Sequence, residues 1–342
     1  MATDLAASSR QQVLDAIRAG DRFLLVTHEN PDGDALGSLV AMHGLLRRLG
    51  KESAMFVAED EFPLPYEYRW IDLDGLTSEV PDDVHDRVVV FLDCGNIDRS
   101  PVLLGHEDGL TIVNVDHHHD NTHFGSIDHV VPEASCTAEI VWDLMRALGV
   151  EATPEIADAL YVGLVTDTGK FMYENTGTRA HVMAAELIEA GVDVHAIYRR
   201  LYEGMPFAKL QLLSRALDGI RRFDDGTLTM TRLCVADYAE TGAEESYSEG
   251  IIDNLRAVAG TKVAALVREL LDPAKAGRAK VSLRAGDGSV DVSAIARAGG
   301  GGGHRQAAGF TTELSEPELV AFLRESVAAQ LGAAVHASDD EG

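Results

Sequence analysis

The stretch Thr27-His28-Glu29-Asn30-Pro31-Asp32-Gly33-Asp34 places the His28 imidazole and the carboxylates of Asp32 and Asp34 close together in the chain. Asp32 and Asp34 are separated by one residue, so on an extended loop they point to opposite sides and can each face a different cation. Gly33 relieves the turn, and Ala35, Gly37 and Ser38 leave room at the start of the following helix. A plainer alternative is an Asp-rich turn that caps a helix, which Asp34 alone would satisfy. Asp93 directly follows the apolar run Val88-Val89-Val90-Phe91-Leu92. A carboxylate there is expensive to bury without a cation or several donors, although an exposed strand-end aspartate is common. In Asp116-His117-His118 one imidazole can ligate a metal while Asp116 orients an imidazole from behind. Asp167 closes a helical pattern that begins at Ile156; a helix-ending polar turn is its plainer role. His28, Asp32, Asp34, Asp93, His117 and Asp167 form a ligand set of carboxylates and imidazoles without thiolate. That set suits Mn²⁺ or Mg²⁺ better than structural zinc, with the histidines favouring Mn²⁺. Two such ions about 3.5–4 Å apart polarise a phosphoryl oxygen and activate water at neutral pH. Neither a Ser-His-Asp arrangement nor a Walker loop competes with this chemistry.

These residues need elements that bring them together. Phe23–Val26, Val88–Leu92 and Ile112–Val115 read as short apolar strands, and each ends in metal-capable side chains: His28, Asp93 and Asp116-His117-His118. Leu36, Leu39, Met42, Leu46 and Leu49 mark a helix, and Val141, Leu144, Met145 and Leu148 mark another. Uniformly apolar strands alternating with helices predict an α/β fold with a parallel sheet covered on both faces. Ligands in such sheets bind beyond the carboxyl ends of the strands. Leu210, Leu213, Leu217 and Ile220 suggest a connecting helix. A second α/β pattern follows, with strand candidates at Leu228–Leu233, Val263–Leu266 and Lys280–Leu283. Gly299–Gly303 are five consecutive glycines, followed by His304. The small, polar, acidic tail is expected to be disordered. The resulting division is 1–192, a linker at 193–224, a second domain at 225–331 and the tail at 332–342.

With 342 residues, the chain has room for two domains. Asp and Glu number 56 against 29 Lys and Arg, a formal net charge of −27, and only 6 of the basic residues are Lys. Such a chain has no basic surplus with which to grip long duplex nucleic acid by counterion release. No apolar run of about 18 residues predicts a membrane span, and the first twelve residues lack the regions of a secretory signal. Cys94, Cys136 and Cys234 show no CxxC spacing, so a cytoplasmic setting is expected. The acidity predicts a salt-adapted (halophilic) surface, because molar salt screens carboxylate repulsion over about 3 Å.

Together the motifs resemble the DHH/DHHA1 phosphoesterase superfamily, and within it the nano-RNase and pAp-phosphatase branch. The residues that carry the likeness are Val26–Ser38, Phe91–Gly95, Val115–His118, and Thr166-Asp167-Thr168-Gly169 with Phe171, Tyr173, Asn175 and Thr176. Ser282-Leu283-Arg284 and Gly300–Gly309, with His304 inside it, resemble the DHHA1 signature. The resemblance spans roughly residues 15 to 325 and implies a DHH catalytic domain, a linker helix and a smaller DHHA1 substrate-binding domain. It implies that His28 and Asp32 hold one Mn²⁺ and Asp34 and His117 the other, with Asp93 and Asp167 shared by or closing the two sites. Asp116 would orient a histidine, and His118 would face the scissile phosphate. Arg284, Gly302, Gly303 and His304 would contact substrate. Glycine backbone N–H groups can approach a phosphate closely, while a flexible linker is the plainer role of the run. The glycine run is a residue or two longer than the usual pattern, and Cys136 replaces a small polar residue.

The implied activity is hydrolysis of oligoribonucleotides of two to five residues to 5′-mononucleotides, with pAp as a second substrate and a homodimer as the implied assembly. Cyclic dinucleotide phosphodiesterase activity is an alternative on the same scaffold. Pyrophosphatase shares the Asp-His-His core but has a different second domain. A non-catalytic nucleotide-binding regulator would be expected to have lost metal ligands, and here all six are present.

Overall fold

The computed structural model describes residues 2–100, 109–303 and 305–339, and the chain divides into two compact units, Met1–Gly204 and Met205–Gly342. Their boundary falls within the 193–224 stretch. Among the described residues no helix is long and apolar enough to cross a membrane.

The first unit is built on a six-stranded sheet of β1 (Arg22–Val26), β2 (Glu52–Phe56), β3 (Leu76–Thr77), β4 (Val88–Leu92), β5 (Thr111–Asp116) and β6 (Ile127–Val130). The strand order is β3-β2-β1-β4-β5-β6 and every pairing is parallel. The chain leaves β1 toward β2 on one side and later returns to pair β4 on the other. The order therefore reverses between β1 and β4, which opens a crevice at their carboxyl ends. Its helices are α1 (Ala2–Ala19), α2 (Gly33–Arg48), α3 (Thr137–Ala147), α4 (Pro154–Asp167), α5 (Thr178–Glu189) and α6 (Val194–Tyr198).

Alternate strand residues feed two cores, as the two-residue period requires. Phe23, Leu25, Val90, Leu92, Val113 and Val115 pack with residues of α1 to α5. Leu24, Val26, Val89, Phe91 and Ile112 face the other side, where Val84, Cys94, Ile97 and Phe124 from short turns and loops cover them. Helices α2 and α4 are buried almost all round, which explains why both are so apolar. They approach closely at two glycines: a Cβ on Gly37 would lie 2.4 Å from the Ala159 carbonyl, and one on Gly163 2.7 Å from Asp34 Oδ1. That approach sets the start of α2 beside the end of α4.

The second unit contains α7 (Phe207–Asp218), β7 (Arg221–Phe223), β8 (Leu228–Leu233), α8 (Val235–Thr241), α9 (Ile251–Arg256) and β9 (Val263–Glu269). These are followed by β10 (Ala279–Ala285), α10 (Val292–Ala298), β11 (Gly302–Gly303), β12 (Ala307–Thr312) and α11 (Glu316–Asp339). Its sheet order is β11-β12-β10-β9-β8-β7, antiparallel except between β8 and β9. The expected connecting helix, α7, packs within this unit: Leu212 and Ala216 are buried, and the Thr231 hydroxyl donates to the Ala216 carbonyl at 2.6 Å. Helix α11 runs from Glu316 to Asp339 and so covers part of the stretch 332–342. Residues 340–342 lie outside the described residues.

Candidate metal centre

All six residues singled out as ligands meet at the crevice between β1 and β4. They fall into overlapping groups whose candidate ligand atoms lie within 4.8 Å of one another: His28, Asp32 and Asp93; Asp34, His117 and Asp167; and Asp93, His117 and His118. Asp32 and Asp34 fall in different groups, as their spacing suggested. Asp93 belongs to two groups and faces three imidazoles, from His28 Nε2 at 3.6 Å, His117 Nε2 at 3.5 Å and His118 Nδ1 at 3.7 Å. His117 Nε2 is also 3.6 Å from Asp167 Oδ2. These separations exceed hydrogen-bond length and suit donors gathered around a common centre.

Local structure aims each side chain. Asp32, rather than Asp34, is the N-cap of α2, and its Oδ1 accepts from the N–H groups of Asp34 and Ala35, both at 3.0 Å. Asp34 sits in the first turn and accepts from the Thr137 and Ala138 N–H groups at 2.6 and 2.9 Å and from the Ser38 hydroxyl at 3.2 Å. Asp93 follows β4 with φ +60, a left-handed conformation unusual for a non-glycine residue. His28 Nδ1 lies 2.7 Å from the Glu29 carbonyl and 2.9 Å from Arg99 Nη2, which turns Nε2 toward Asp93. Asp116 ends β5, fully buried; its oxygens meet His118 Nδ1 at 2.7 Å and accept from Asn121 Nδ2 at 2.6 Å.

The electrostatics show what the cluster lacks. Burial and repulsion from Asp34, Asp32 and Asp116 push the Asp93 carboxyl well above its usual range. Burial, with the Asp32 charge, also raises Asp34. Asp167 is pushed up to about 8 by burial and by the charges of Asp34 and Asp32. Among the described residues, the ion pairs of Asp93 and Asp167 are with imidazoles alone. Nearby acids in a buried cluster that resist ionisation are what a divalent cation relieves. No thiolate joins them: burial pushes the Cys94 thiol up to about 12 and the Cys136 thiol well above its usual range. The donor set therefore fits a hard divalent cation. His118 behaves differently. Burial opposes its protonation, but the Asp116 hydrogen bond and the charges of Asp116 and Asp93 outweigh that and push it up to about 9.

The expected substrate contacts lie in the second unit. Arg284 is half-buried on β10, with Nη1 donating to its own neighbour's carbonyl at Leu283. Gly302 and Gly303 form exposed β11 against Gly309 and Ala308 of β12, so this end of the glycine run is a paired strand and not a flexible linker. A Cβ on Gly301 would lie 2.1 Å from the Gly309 carbonyl, and one on Gly303 2.6 Å from Ala308 Cα. His304 lies outside the described residues. Sequence reasoning passed over Thr137, Ala138 and Asn121 and read Ser38 only as a small residue, yet all four hold the site carboxylates. Thr137 and Ala138 act on a residue more than a hundred positions upstream, and no local pattern signals that.

Comparison with known proteins agrees with this geometry. Residues 22–164 match the DHH family, N-terminal domain, and residues 230–331 match the DHHA1 domain. The chain is 34% identical over 300 residues to the bifunctional oligoribonuclease and PAP phosphatase NrnA of Thermus thermophilus, covering 88% of this chain and 86% of that one. It is 26% identical over 313 residues to the probable bifunctional oligoribonuclease and PAP phosphatase NrnA of Streptococcus mutans, covering 90% and 94%. Among solved structures, an exopolyphosphatase-related protein from Bacteroides fragilis shares the fold with a TM-score of 0.85 at 22% identity, covering 96% of this chain and 97% of that one. The exonuclease RecJ bound to manganese shares it more distantly, with a TM-score of 0.54 at 15% identity and coverage of 95% and 94%. With both domain matches in order and a relative at 34% identity over most of its length, the chain belongs to the DHH family, in the DHH–DHHA1 arrangement of metal-dependent phosphoesterases.

Proposed function

We propose that this enzyme is a two-metal, Mn²⁺-dependent phosphoesterase that hydrolyses short oligoribonucleotides to 5′-mononucleotides and pAp to AMP. The observation that carries it is the convergence of six ligand-type side chains into groups that overlap through Asp93 and His117, with buried carboxylates that resist ionisation. The relatives named as oligoribonuclease and PAP phosphatase supply the substrate class. His28 and Asp32 would hold one ion, Asp34 and His117 the other, with Asp93 and Asp167 shared or closing. Bound there, the ions would stabilise charge on the attacking and departing oxygens of an in-line displacement at phosphorus. Mg²⁺ can serve the same oxygen-rich set.

The chain's own groups do the rest. Asp116 meets His118 Nδ1 at 2.7 Å, and that hydrogen bond and charge favour the imidazolium form of the ring. His118 Nε2–H is then free to donate to a phosphate oxygen or to the departing oxygen. Arg284, Gly302, Gly303 and His304 of the DHHA1 domain would bind substrate, Arg284 through charge and the glycines through backbone N–H groups. In this reading 1–192 is catalytic, 193–224 the linker and 225–331 substrate-binding. A short substrate needs few local cations, so the net charge of −27 excludes long duplexes and not this substrate. The test is turnover of pApA, pAp, cyclic di-AMP and pyrophosphate by purified protein with Mn²⁺. AMP from pApA and from pAp is expected. Turnover of cyclic di-AMP or pyrophosphate alone, or binding of every compound without turnover, would overturn the proposal.

A further inference from the structure

The start of α3 touches several residues of the centre, though it supplies none of the candidate ligands itself. Its first two N–H groups, from Thr137 and Ala138, bond to opposite oxygens of Asp34, Oδ2 and Oδ1. The Thr137 hydroxyl, fully buried, donates to Asp93 Oδ1 at 3.0 Å. Just before the helix, the Ser135 hydroxyl donates to the Asn175 carbonyl at 2.8 Å, and Asn175 Nδ2 returns a bond to the Ser135 carbonyl at 2.8 Å. The same Nδ2 reaches the carbonyl and Oδ2 of Asp167 at 3.1 and 3.3 Å. Behind this, buried Glu139 accepts from the Ser135 N–H at 3.0 Å and from Arg179 Nε at 2.7 Å. One helical turn thus contacts Asp34 and Asp93 directly and Asp167 through one side chain.

We infer that Thr137 and Asn175 are positioning residues for the metal centre, Thr137 fixing the Asp93 carboxylate and Asn175 fixing that of Asp167, with Ser135 and Glu139 anchoring them. The last torsion of an aspartate is soft, so an unrestrained carboxylate plane rotates freely. A donor on one oxygen pins that plane and leaves the other lone pairs for a cation. Asp93 must present one oxygen toward His28 and the other toward His117, so its plane matters most. Ordinary helix capping explains the bond from the Ser135 N–H to Glu139. It does not explain a hydroxyl aimed away from its own helix at Asp93, or a loop amide spent on Asp167. Partners that orient ligands in this way are worth 10–100-fold in metal affinity.

The inference rests on the metal-binding reading above, and calorimetric titration of Mn²⁺ into chelator-treated full-length protein tests the two separately. Thr137→Val keeps the shape and removes only the hydroxyl. It should weaken Mn²⁺ binding at least about tenfold while the metal-free melting temperature stays near that of wild type. Thr137→Ser should restore most of the affinity. Asn175→Ala, at an exposed position, is the second variant and should also weaken binding. If wild type binds Mn²⁺ and the folded Thr137→Val or Asn175→Ala protein binds equally well, the positioning role is wrong and the metal site stands. If wild type binds no Mn²⁺, both fall.

Discussion

The Asp167 carboxyl is held at about 8 by burial and by Asp34 and Asp32, so in metal-free protein it resists a charge that the unfolded chain carries freely. The folded state binds this proton more tightly than the unfolded state does. Its contribution to stability is therefore largest below the ordinary value of 3.8 and is lost as pH rises toward 8. At pH 7.5 the loss is about 5 kcal/mol, taking 1.36 kcal/mol per pH unit. Asp167→Asn removes the charge but leaves a buried amide that costs about 1–3 kcal/mol, so the variant should be more stable than wild type by about 2–4 kcal/mol. In EDTA at pH 7.5 its melting temperature should rise by about 5–15 °C. Saturating Mn²⁺ should shrink or close that lead. Wild type gains about 2.7 kcal/mol at a hundred times its Kd, whereas the variant, lacking a ligand, gains much less. Differential scanning calorimetry with and without metal reads both effects. If Asp167→Asn lowers the melting temperature in EDTA, or keeps the full Mn²⁺ increment, then Asp167 is a structural carboxylate and the reasoning fails.

Three further outcomes are expected. Burial lowers the His129 imidazole to about 4, so its contribution, present in full above pH 6.5, should be lost as pH falls toward 4, by about 3 kcal/mol. Melting temperatures of wild type and His129→Gln across pH 4–7 check this, and parallel curves would refute it. Gly303 has φ +131 and no space for a Cβ, whereas Gly302 is open on that side. Gly303→Ala should therefore destabilise the second unit by about 2 kcal/mol or more and raise the KM for pApA, with Gly302→Ala near neutral in stability. Amide exchange at residues 302–303 and 308–309 reads the local loss. The carboxylate-rich surface predicts activity that persists in about 2 M KCl, and inactivation well below that would count against salt adaptation.

The site was legible in the sequence because its ligands follow strands whose apolar runs are continuous. Val88–Leu92 and Ile112–Val115 announce β4 and β5, and Asp93 and Asp116 end or follow them. The other strands were hidden. Glu52–Phe56 mixes polar with apolar residues, and Ile127-Asp-His-Val130 alternates over too few positions to register. β6 is an edge strand, and β2 is flanked on its outer side only by the two-residue β3, so neither needs an unbroken apolar run. The left-handed backbone at Asp93 and the hold of α3 on Asp34 arise only when distant segments pack together. Gly163 could be read as a small residue in a helix, but its reason, the Asp34 oxygen 2.7 Å from where a Cβ would stand, is tertiary.

The central claim is that Asp93, with His117, joins the ligand groups into one hydrolytic centre. Release of AMP from pApA, followed with and without Mn²⁺ for wild type and Asp93→Ala at pH 7.5, tests it most directly. The account predicts turnover by wild type that depends on Mn²⁺ and is abolished by EDTA, and a folded Asp93→Ala protein with less than about 1% of that rate. A variant that retains more than a few per cent of wild-type turnover in Mn²⁺, or wild-type turnover undiminished by EDTA, would contradict it.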